Sequence, residues 1–514
     1  MDNAKTNYLF EEMPIFQAIM KLAIPSVISQ LILVIYNLAD TFFIGLASNQ
    51  SYFIENGLSN ALISGVTICM PVFMIISAIS NLFGIGAGSV ISRSNGKKNP
   101  DRAKHAAGFA TYACLISLVV YCLLSFLVLR PISQFLDGGD EVITKYAMTY
   151  IFITVTLCGI PTGMSTLMSH ILRAEGKSFN ASFGIALGGV LNVALDPLFM
   201  FVFFDIKDAA LAAGLATGVS NIFALLYFVI IFIVLRKKVN LSFKFKTSYF
   251  KNKIPSEVMK IGLPACLMTL CENISYMILD YLIASMSTDV IINQAALAGV
   301  GAAKKLNMFA HSIARGMTQG VLPLIGYNKS SGRRIRMKKI VYMSSLITTS
   351  ISLLCLIINL AAAKPLSSLF IHDELALSFS SKYLRIFSIG APFSAFAYSV
   401  ISFFQAIGKP GRSLLLALTR KGIVDIPLML LAPLMFSNKN GVNIIAATPT
   451  ADIICCILAA IFFFTGAVPL GAVIRIQKGW LSALVRLTGF WWGGRASGQS
   501  PSMPVASVLT WTSW

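Results

Sequence analysis

Six acidic side chains lie inside long apolar stretches of the sequence, where a charge is costly. A carboxylate at the centre of a membrane-spanning helix costs roughly 2.5–3.5 kcal/mol on the insertion scale, so such a residue marks a functional site by default. These acids are therefore the first candidates for binding an ion or a charged ligand. They are Asp40, Asp196, Glu272, Asp280, Asp425 and Asp452.

The two acids nearest the N-terminus each have an amide side chain one helical turn away. Asn37 precedes Asp40 by three residues and Asn192 precedes Asp196 by four, and side chains at these spacings share a helix face. Pro197 also removes a backbone hydrogen bond and frees a carbonyl one turn earlier. Carboxylate, amide and carbonyl oxygens are hard donors that suit Na⁺. Asp40, Asn192 and Asp196 therefore form a candidate sodium site, with Asn37 beside it.

The same carboxylates are also candidates for binding protons, because burial in apolar surroundings disfavours their charged form. In either case the bound ion would neutralise a buried charge. The alternative is that these acids pair with Lys or Arg and only fix the packing. The apolar runs that hold Asp40 and Asp196 contain no basic residue near mid-depth, which favours ion binding.

Glu272, in the second half of the chain, has two interpretations. An acid at the interface of two lobes would attract a cationic substrate. Alternatively, it pairs with a basic residue of the following apolar run, which holds Lys304, Lys305 and Arg315.

Three further acids and one glutamine lie in the apolar runs of the second half. Asp425 follows Arg420 and Lys421 by about one helical turn, so an intrahelical ion pair is expected. Asp280 lies near the outer end of its apolar run, where an interfacial role is expected, and Asp452 stays open. Gln319 is a candidate contact for a polar ligand, although a helix–helix hydrogen bond explains it equally well.

The chain around these residues is strongly apolar. Of its 514 residues 56% are hydrophobic and 12% are charged, whereas about 25% of the residues in a soluble protein are charged. A run of about 20 apolar residues spans the hydrocarbon core as a helix. Twelve such runs lie near residues 15–46, 58–90, 105–129, 142–171, 179–204, 209–235, 256–285, 292–325, 340–363, 379–405, 413–436 and 443–465.

Basic residues occur in alternate loops between these runs. Loops 92–104, 236–253 and 329–339 are rich in Lys and Arg, whereas loops 47–57 and 286–291 contain none. This alternation follows the positive-inside rule and predicts a cytoplasmic N-terminus. The net charge of +20 therefore reflects membrane topology, and we expect no nucleic-acid partner. The apolar first run is too long for a cleavable signal peptide.

The two halves of the chain repeat one another. Four stretches recur in the same order at offsets of 230–239 residues, which chance does not explain: 21–25 with 260–264, 84–95 with 316–328, 161–177 with 392–409, and 196–200 with 426–430.

Six helices per repeat make both halves enter the membrane from the same side. We therefore predict an all-α polytopic membrane protein whose twelve transmembrane helices form two six-helix lobes. A pseudo-two-fold axis along the membrane normal would relate the lobes, with the site between them. The predicted domains are residues 1–235, a cytoplasmic linker at 236–255, and residues 256–465.

Several functional classes find no support in the sequence. No GxxxxGK[ST] loop is present, so an ion gradient must supply the energy. The nine cysteines lie in apolar runs without metal-ligand spacing, and an enzyme would need clustered His or Asp-rich loops, which are absent. We expect no cofactor beyond a coupling Na⁺ or H⁺.

Several motifs resemble those of the MATE (multidrug and toxic compound extrusion) family, in particular its bacterial DinF-like and MepA-like branch. The resemblance covers residues 10 to about 465. The motifs that carry it are Pro25 and residues 37–45, 84–88 with 92–96, 173–176, 192–197 and 323–328.

The resemblance implies a V of two six-helix lobes and drug efflux against inward Na⁺ or H⁺. It also implies a first-lobe cation site at Asp40, Asn192 and Asp196, with Thr217 as a looser match. Glu272 matches an acid that the family often carries in helix seven. Arg315 departs from the pattern, because a small or apolar residue is expected there.

The segment from residue 466 onward has no family likeness. All five Trp residues of the chain lie in it, and it is rich in Gly, Ser and Arg. We interpret it as a frameshifted, foreign or disordered tail. The alternative is an amphipathic segment on the membrane surface with Trp anchors.

Together these patterns predict a monomeric multi-pass exporter in a bacterial cytoplasmic membrane, with drugs or organic cations as substrates and lipids as surroundings. A lipid-linked precursor flippase is the alternative within the same architecture. That alternative predicts a strongly cationic cavity for pyrophosphate.

Overall fold

The structure is a computed structural model that describes residues 8–137, 140–236, 239, 245–251, 253–371, 373–435 and 440–465. Every regular element in these ranges is a helix. The protein is therefore all-α, as predicted. The tail from residue 466 lies outside the described residues.

The first half contains six long helices, which we number in chain order. They are α1 (Ile15–Ser48), α2 (Ser59–Gly96), α3 (Pro100–Leu127), α4 (Glu141–Leu157 continued by Gly159–Ala174), α5 (Ser178–Phe203) and α6 (Ile206–Val234). The two parts of α4 meet at an angle of 49°.

The second half repeats this order with six more helices. They are α7 (Ile254–Ala284), α8 (Val290–Ser330), α9 (Arg334–Ala361), α10 (Glu374–Ala406), α11 (Pro410–Leu418, Thr419–Ile423 and Asp425–Met435) and α12 (Val442–Thr465). Each of the twelve predicted apolar runs corresponds to one of these helices. The domain boundary at 236–255 is only partly described and stays a prediction.

Nine helices of the described ranges are long and apolar enough to cross a membrane, or ten if α4 counts as one span. The two that do not qualify, α8 and α11, both carry basic residues near the middle of the helix. α8 carries Lys304, Lys305 and Arg315, and α11 contains a π-helical turn around Arg420 and Lys421.

Several helices start at polar residues that cap them. Asn99, Asp140, Asp289 and Asp373 each accept a hydrogen bond from a backbone N–H in the first turn, which satisfies donors that a helix start leaves free. These caps explain why the apolar runs begin as helices where they do.

Glycines let the two halves approach each other closely near the end of the bundle that carries the basic loops. A Cβ atom added to Gly262 of α7 would lie 1.7 Å from the carbonyl oxygen of Leu82 in α2. In the same way, a Cβ atom on Gly320 of α8 would lie 2.6 Å from the carbonyl oxygen of Leu22 in α1. Only glycine allows the backbones to pack this closely.

Ion pairs and hydrogen bonds also connect the halves at this end. Glu257 of α7 pairs with Arg93 of α2 at 3.0 Å and with Arg102 of α3. Glu11, which precedes α1, accepts a hydrogen bond of 2.6 Å from the Tyr327 hydroxyl of α8. Together with the glycine contacts, these interactions close the bundle at the end of the basic loops.

We expect Gly262→Ala to push α2 and α7 apart and to lower the free energy of unfolding by about 1–3 kcal/mol, the usual cost of overpacking. Thermal unfolding of the purified protein in detergent measures this effect. Gly301→Ala is the matched control, because a Cβ atom there meets nothing within 4 Å. Equal melting temperatures for the two variants would contradict the close-packing interpretation.

Candidate functional site

A cavity of about 290 Å³ lies between the two halves. Residues of α1, α2, α4, α5 and α6 line it from the first half, and residues of α7, α8 and α10 line it from the second. Half of the lining residues are polar but uncharged, and the charged side chains among the described residues are Arg173, Glu272 and Arg315. A concave site between two helix sets is where bundles bind ligands.

The predicted cation-site residues of α5 and α6 lie together beside this cavity. Asn192 donates hydrogen bonds from Nδ2 to Thr217 Oγ1 at 3.2 Å and to Asp196 Oδ1 at 3.4 Å. Asp196 is fully buried, and Asn192 and Thr217 are nearly so. Thr217, the looser match to the family pattern, thus accepts a hydrogen bond from Asn192 of the predicted site.

Three oxygen atoms of this group have no hydrogen-bond partner in the described part of the structure. They are Asp40 Oδ1, Asn192 Oδ1 and Asp196 Oδ2, and all three are buried. Buried acceptors are almost always satisfied in proteins, so each such atom requires an explanation. Two carboxylate oxygens and one amide oxygen make a donor set that a small cation or a proton would complete.

Asp40 reaches this group from α1. The hydroxyl group of Tyr150 of α4 interacts with its carboxylate. Electrostatic interactions connect it with Asp196 and Tyr36. Lys305 of α8 also attracts Asp40 without forming an ion pair with it. This interaction with the other half was not predicted, because the sequence argument for Asp40 rested on the absence of basic residues from its own half near mid-depth.

The cation group opens towards the cavity through its uncharged members. Asn37, Asn192 and Thr217 belong to the cavity lining, whereas Asp40 and Asp196 lie behind them. Asn37 donates its amide hydrogen bond to the Leu33 carbonyl at 2.7 Å rather than to Asp40. A ligand in the cavity would therefore reach the amides first, and Asp40 would act on it through its charge.

Glu272 lines the cavity from the second half but has a basic partner. Its Oε1 accepts a hydrogen bond of 2.8 Å from Arg315, and the Glu272 side chain is 9% exposed. Of the three basic residues considered from the sequence, Arg315 forms the pair, and Lys304 pairs with Asp280 instead. The pair leaves Glu272 with little net charge for attracting a cation.

Gln319 lies on the same helix as Arg315 and also lines the cavity. Its Oε1 atom is buried without a hydrogen-bond partner among the described residues. The helix–helix hydrogen bond considered as an alternative is therefore not made by this oxygen. An unsatisfied carbonyl at a cavity wall is available to a ligand that can donate a hydrogen bond.

Arg173 also lines the cavity, although the sequence analysis assigns it only to a family motif. It is 3% exposed and donates hydrogen bonds to the hydroxyl groups of Ser26 and Ser169 at 3.2 and 3.1 Å. Its position in a helix-end motif gave no sign that it would face a cavity. The predicted apolar run ends at residue 171, so Arg173 was not recognised as a basic residue inside a membrane span, which would have marked it as a functional candidate.

We expect Glu272→Gln to leave Arg315 without its ion-pair partner and to lower the free energy of unfolding by roughly 1.5–3 kcal/mol, the contribution of a hydrogen bond to a charged group. Adding Arg315→Met should restore most of this loss, because it removes the unpaired charge. Unfolding curves of the single and double variants test both statements. A single variant as stable as the parent would show that the pair contributes nothing.

The twelve helices and the cavity between their two halves define a multi-pass membrane transport protein. A family model described as MatE matches residues 25–198 and 264–431, one stretch in each half. The chain belongs to the MatE family. This agrees with the resemblance that the motifs indicate.

The comparisons with individual proteins cover nearly the whole chain. A relative from Staphylococcus aureus (strain MRSA252), the multidrug export protein MepA, is 26% identical over 458 residues, which are 89% of this chain and 95% of that protein. A crystal structure of MATE in complex with MaL6 superimposes with a TM-score of 0.78 at 19% identity and covers 92% of this chain and 99% of that one. An outward-facing multidrug resistance MATE family transporter of the MOP superfamily gives a TM-score of 0.75 at 19% identity, over 90% and 96%.

Proposed function

We propose that the protein is a secondary active multidrug exporter that exchanges drugs or organic cations for inward Na⁺ or H⁺. The observation that carries this proposal is the set of three unpartnered buried oxygens, from Asp40, Asn192 and Asp196, beside a cavity between two helix halves. The names of its relatives as multidrug export proteins support the choice of cargo.

The coupling step follows from the cost of buried charge. An unpaired carboxylate in low dielectric is strongly disfavoured, so a bound cation or proton stabilises the state in which Asp40 and Asp196 are enclosed. One charge that crosses 100 mV releases about 2.3 kcal/mol. That amount sustains a cargo gradient of more than tenfold for each ion.

The remaining features of the proposal follow from the topology. The basic loops would face the cytoplasm of a bacterial cell, with the N-terminus on the same side. The protein would act as a monomer surrounded by lipid. It would need no enzymatic activity and no cofactor other than the coupling ion.

A lipid-linked precursor flippase is less well supported. Such a protein would need several free positive charges in its cavity to hold a pyrophosphate group. Of the two arginines in the cavity lining, Arg315 is paired with Glu272. Arg173 alone provides too little charge for two phosphates.

Efflux of ethidium from proteoliposomes, with Na⁺ and pH gradients imposed separately, tests the proposal. We expect one of the gradients to drive efflux in the parent, and Asp40→Asn and Asp196→Asn each to reduce this efflux at least tenfold. Asp205→Asn is the matched control, because Asp205 is an exposed acid whose ion-pair partner among the described residues is the exposed Lys207. Efflux that neither gradient drives, or that is unchanged in both site variants, would refute the antiporter.

A further inference from the structure

The second half contains a counterpart of the candidate cation site. Tyr36 and Asp40 of α1 recur as Tyr276 and Asp280 of α7, both at an offset of 240 residues. α1 and α7 are the first helices of their halves, so the two pairs occupy equivalent elements. These two pairs lie one residue away from the offset of 239 that stretches 21–25 and 260–264 share on the same helices.

The same correspondence holds for the other part of the site. In α11, Lys421 and Asp425 lie at an offset of 229 residues from Asn192 and Asp196 of α5, one residue away from the offset of 230 that stretches 196–200 and 426–430 share. In both pairs the second residue follows the first by four positions, on the fifth helix of its half. Thr217 of α6 corresponds to Thr448 of α12 at an offset of 231.

The contacts in the two sets join the same kinds of residue but differ in their centre. In the first half, Asn192 bridges Asp196 and Thr217. In the second half, Asp425 is bound by Lys421 Nζ at 2.9 Å and by the Thr448 hydroxyl at 3.0 Å. Each set thus contains a carboxylate, the i−4 side chain of its own helix and a threonine of the sixth helix, which contacts the amide in the first half and the carboxylate in the second.

The two sets differ in how the carboxylates are neutralised. Both oxygens of Asp425 are paired. Oδ1 accepts from Thr448, and Oδ2 accepts from Lys421 and, at 2.7 Å, from Ser275 of α7. Asp425 and Lys421 are 0% and 2% exposed. In the first half, by contrast, Asp196 Oδ2 and Asn192 Oδ1 have no partner in the described structure.

A second lysine completes the pattern. Lys304 of α8 pairs with Asp280, the counterpart of Asp40. The ammonium groups of Lys304 and Lys421 each lie 5.4 Å from the centre of the Tyr276 ring. The second set therefore contains two positive charges that are covalently part of the chain.

We propose that the second half carries a copy of the monovalent-cation site that is permanently filled by the Lys421 ammonium group. Lys304 neutralises Asp280, the copy of Asp40, although the Asp280 side chain is 41% exposed. Mobile coupling cations then bind only in the first half. This inference rests on the proposed ion coupling, and it assigns all of that coupling to one half of the molecule.

The chemistry of the lysine group supports this assignment. An ammonium ion is a compact cation that donates hydrogen bonds to carboxylate and hydroxyl oxygens. Those oxygens are also the donors that a hard monovalent metal ion prefers. Lys421 therefore occupies the position in which a free cation would have to bind, and its tether makes it a competitor that cannot diffuse away.

The test is to remove the tethered charge in two different ways. In Lys421→Asn the second half regains the Asn–Asp–Thr set of the first half, and we expect one additional cation to bind per protein. Lys421→Arg is the control, because it keeps a tethered positive charge, and it should bind the same number as the parent. The probe is ²²Na⁺ at equilibrium with the purified protein or, if the pH gradient drives efflux, proton uptake in weak buffer.

A second variant decides the question if Lys421→Asn does not fold. Lys421→Met combined with Asp425→Leu removes both charges together, and replacing a whole buried ion pair by apolar groups is well tolerated. We expect this double variant to keep gradient-driven ethidium efflux within twofold of the parent and to bind the same number of cations. A loss of coupling or of one bound cation would overturn the inference, because it would place a working site in the second half.

These outcomes are separate from a failure of the proposed function. If neither gradient drives efflux by the parent, ion coupling itself is wrong. If a gradient drives efflux but Lys421→Asn is folded and binds no additional cation, only the assignment of Lys421 is wrong.

Discussion

The cost of enclosing an unpaired charge in an apolar environment governs the arrangement of this protein. The second half meets that cost with ion pairs in which each acid is buried: Glu272 with Arg315, Lys421 with Asp425, and Arg420 with Asp452. The first half encloses Asp40 and Asp196 without such pairs. The two halves therefore share a fold, but only the acids of the first half need a cation or proton from solution to neutralise them.

The ion pairs also determine which helices can exist only inside the bundle. α8 and α11 carry the basic members of the pairs and are not apolar enough to span a membrane alone. Arg420 is completely buried, 2.7 Å from Asp452 and stacked over the Tyr398 ring at 4.3 Å. These helices become stable in a membrane only when α7, α10 and α12 supply their partners.

The sequence was sufficient for the helices and for the outline of the site. Apolar runs of bilayer length, interrupted by polar turns, predicted all twelve helices. The i,i+4 spacing placed Asn192 beside Asp196, and the structure brings Thr217 to the same group. These features depend on local spacing or on a repeat, both of which a single sequence contains.

Contacts across helices could not be read in this way. Three basic residues of α8 were equal candidates for Glu272, and only the helix packing decides that Arg315 reaches it while Lys304 reaches Asp280. The approach of Gly262 to Leu82 was also invisible, because a glycine in an apolar run has many explanations. Likewise, Arg420 and Lys421 were both candidates for an intrahelical pair with Asp425, and only the structure shows that Lys421 forms it while Arg420 pairs with Asp452. The equivalence of Lys421 to Asn192 emerges only when the contacts of both halves are compared.

The asymmetry between the halves bears on how ion binding would control movement. A ligand shifts a conformational equilibrium only by the difference in its affinity for the two states. The pairs of the second half are internal and need no ion, so that half keeps its charge balance in any conformation. Opening of the closed end would break the contacts between α2 and α7 and between α1 and α8. In the proposed mechanism, coupling therefore depends on whether Asp40 and Asp196 are neutralised when these contacts break. An ion site confined to one half is sufficient for this control, because α1, which carries Asp40, also packs against α8 at the closed end of the bundle.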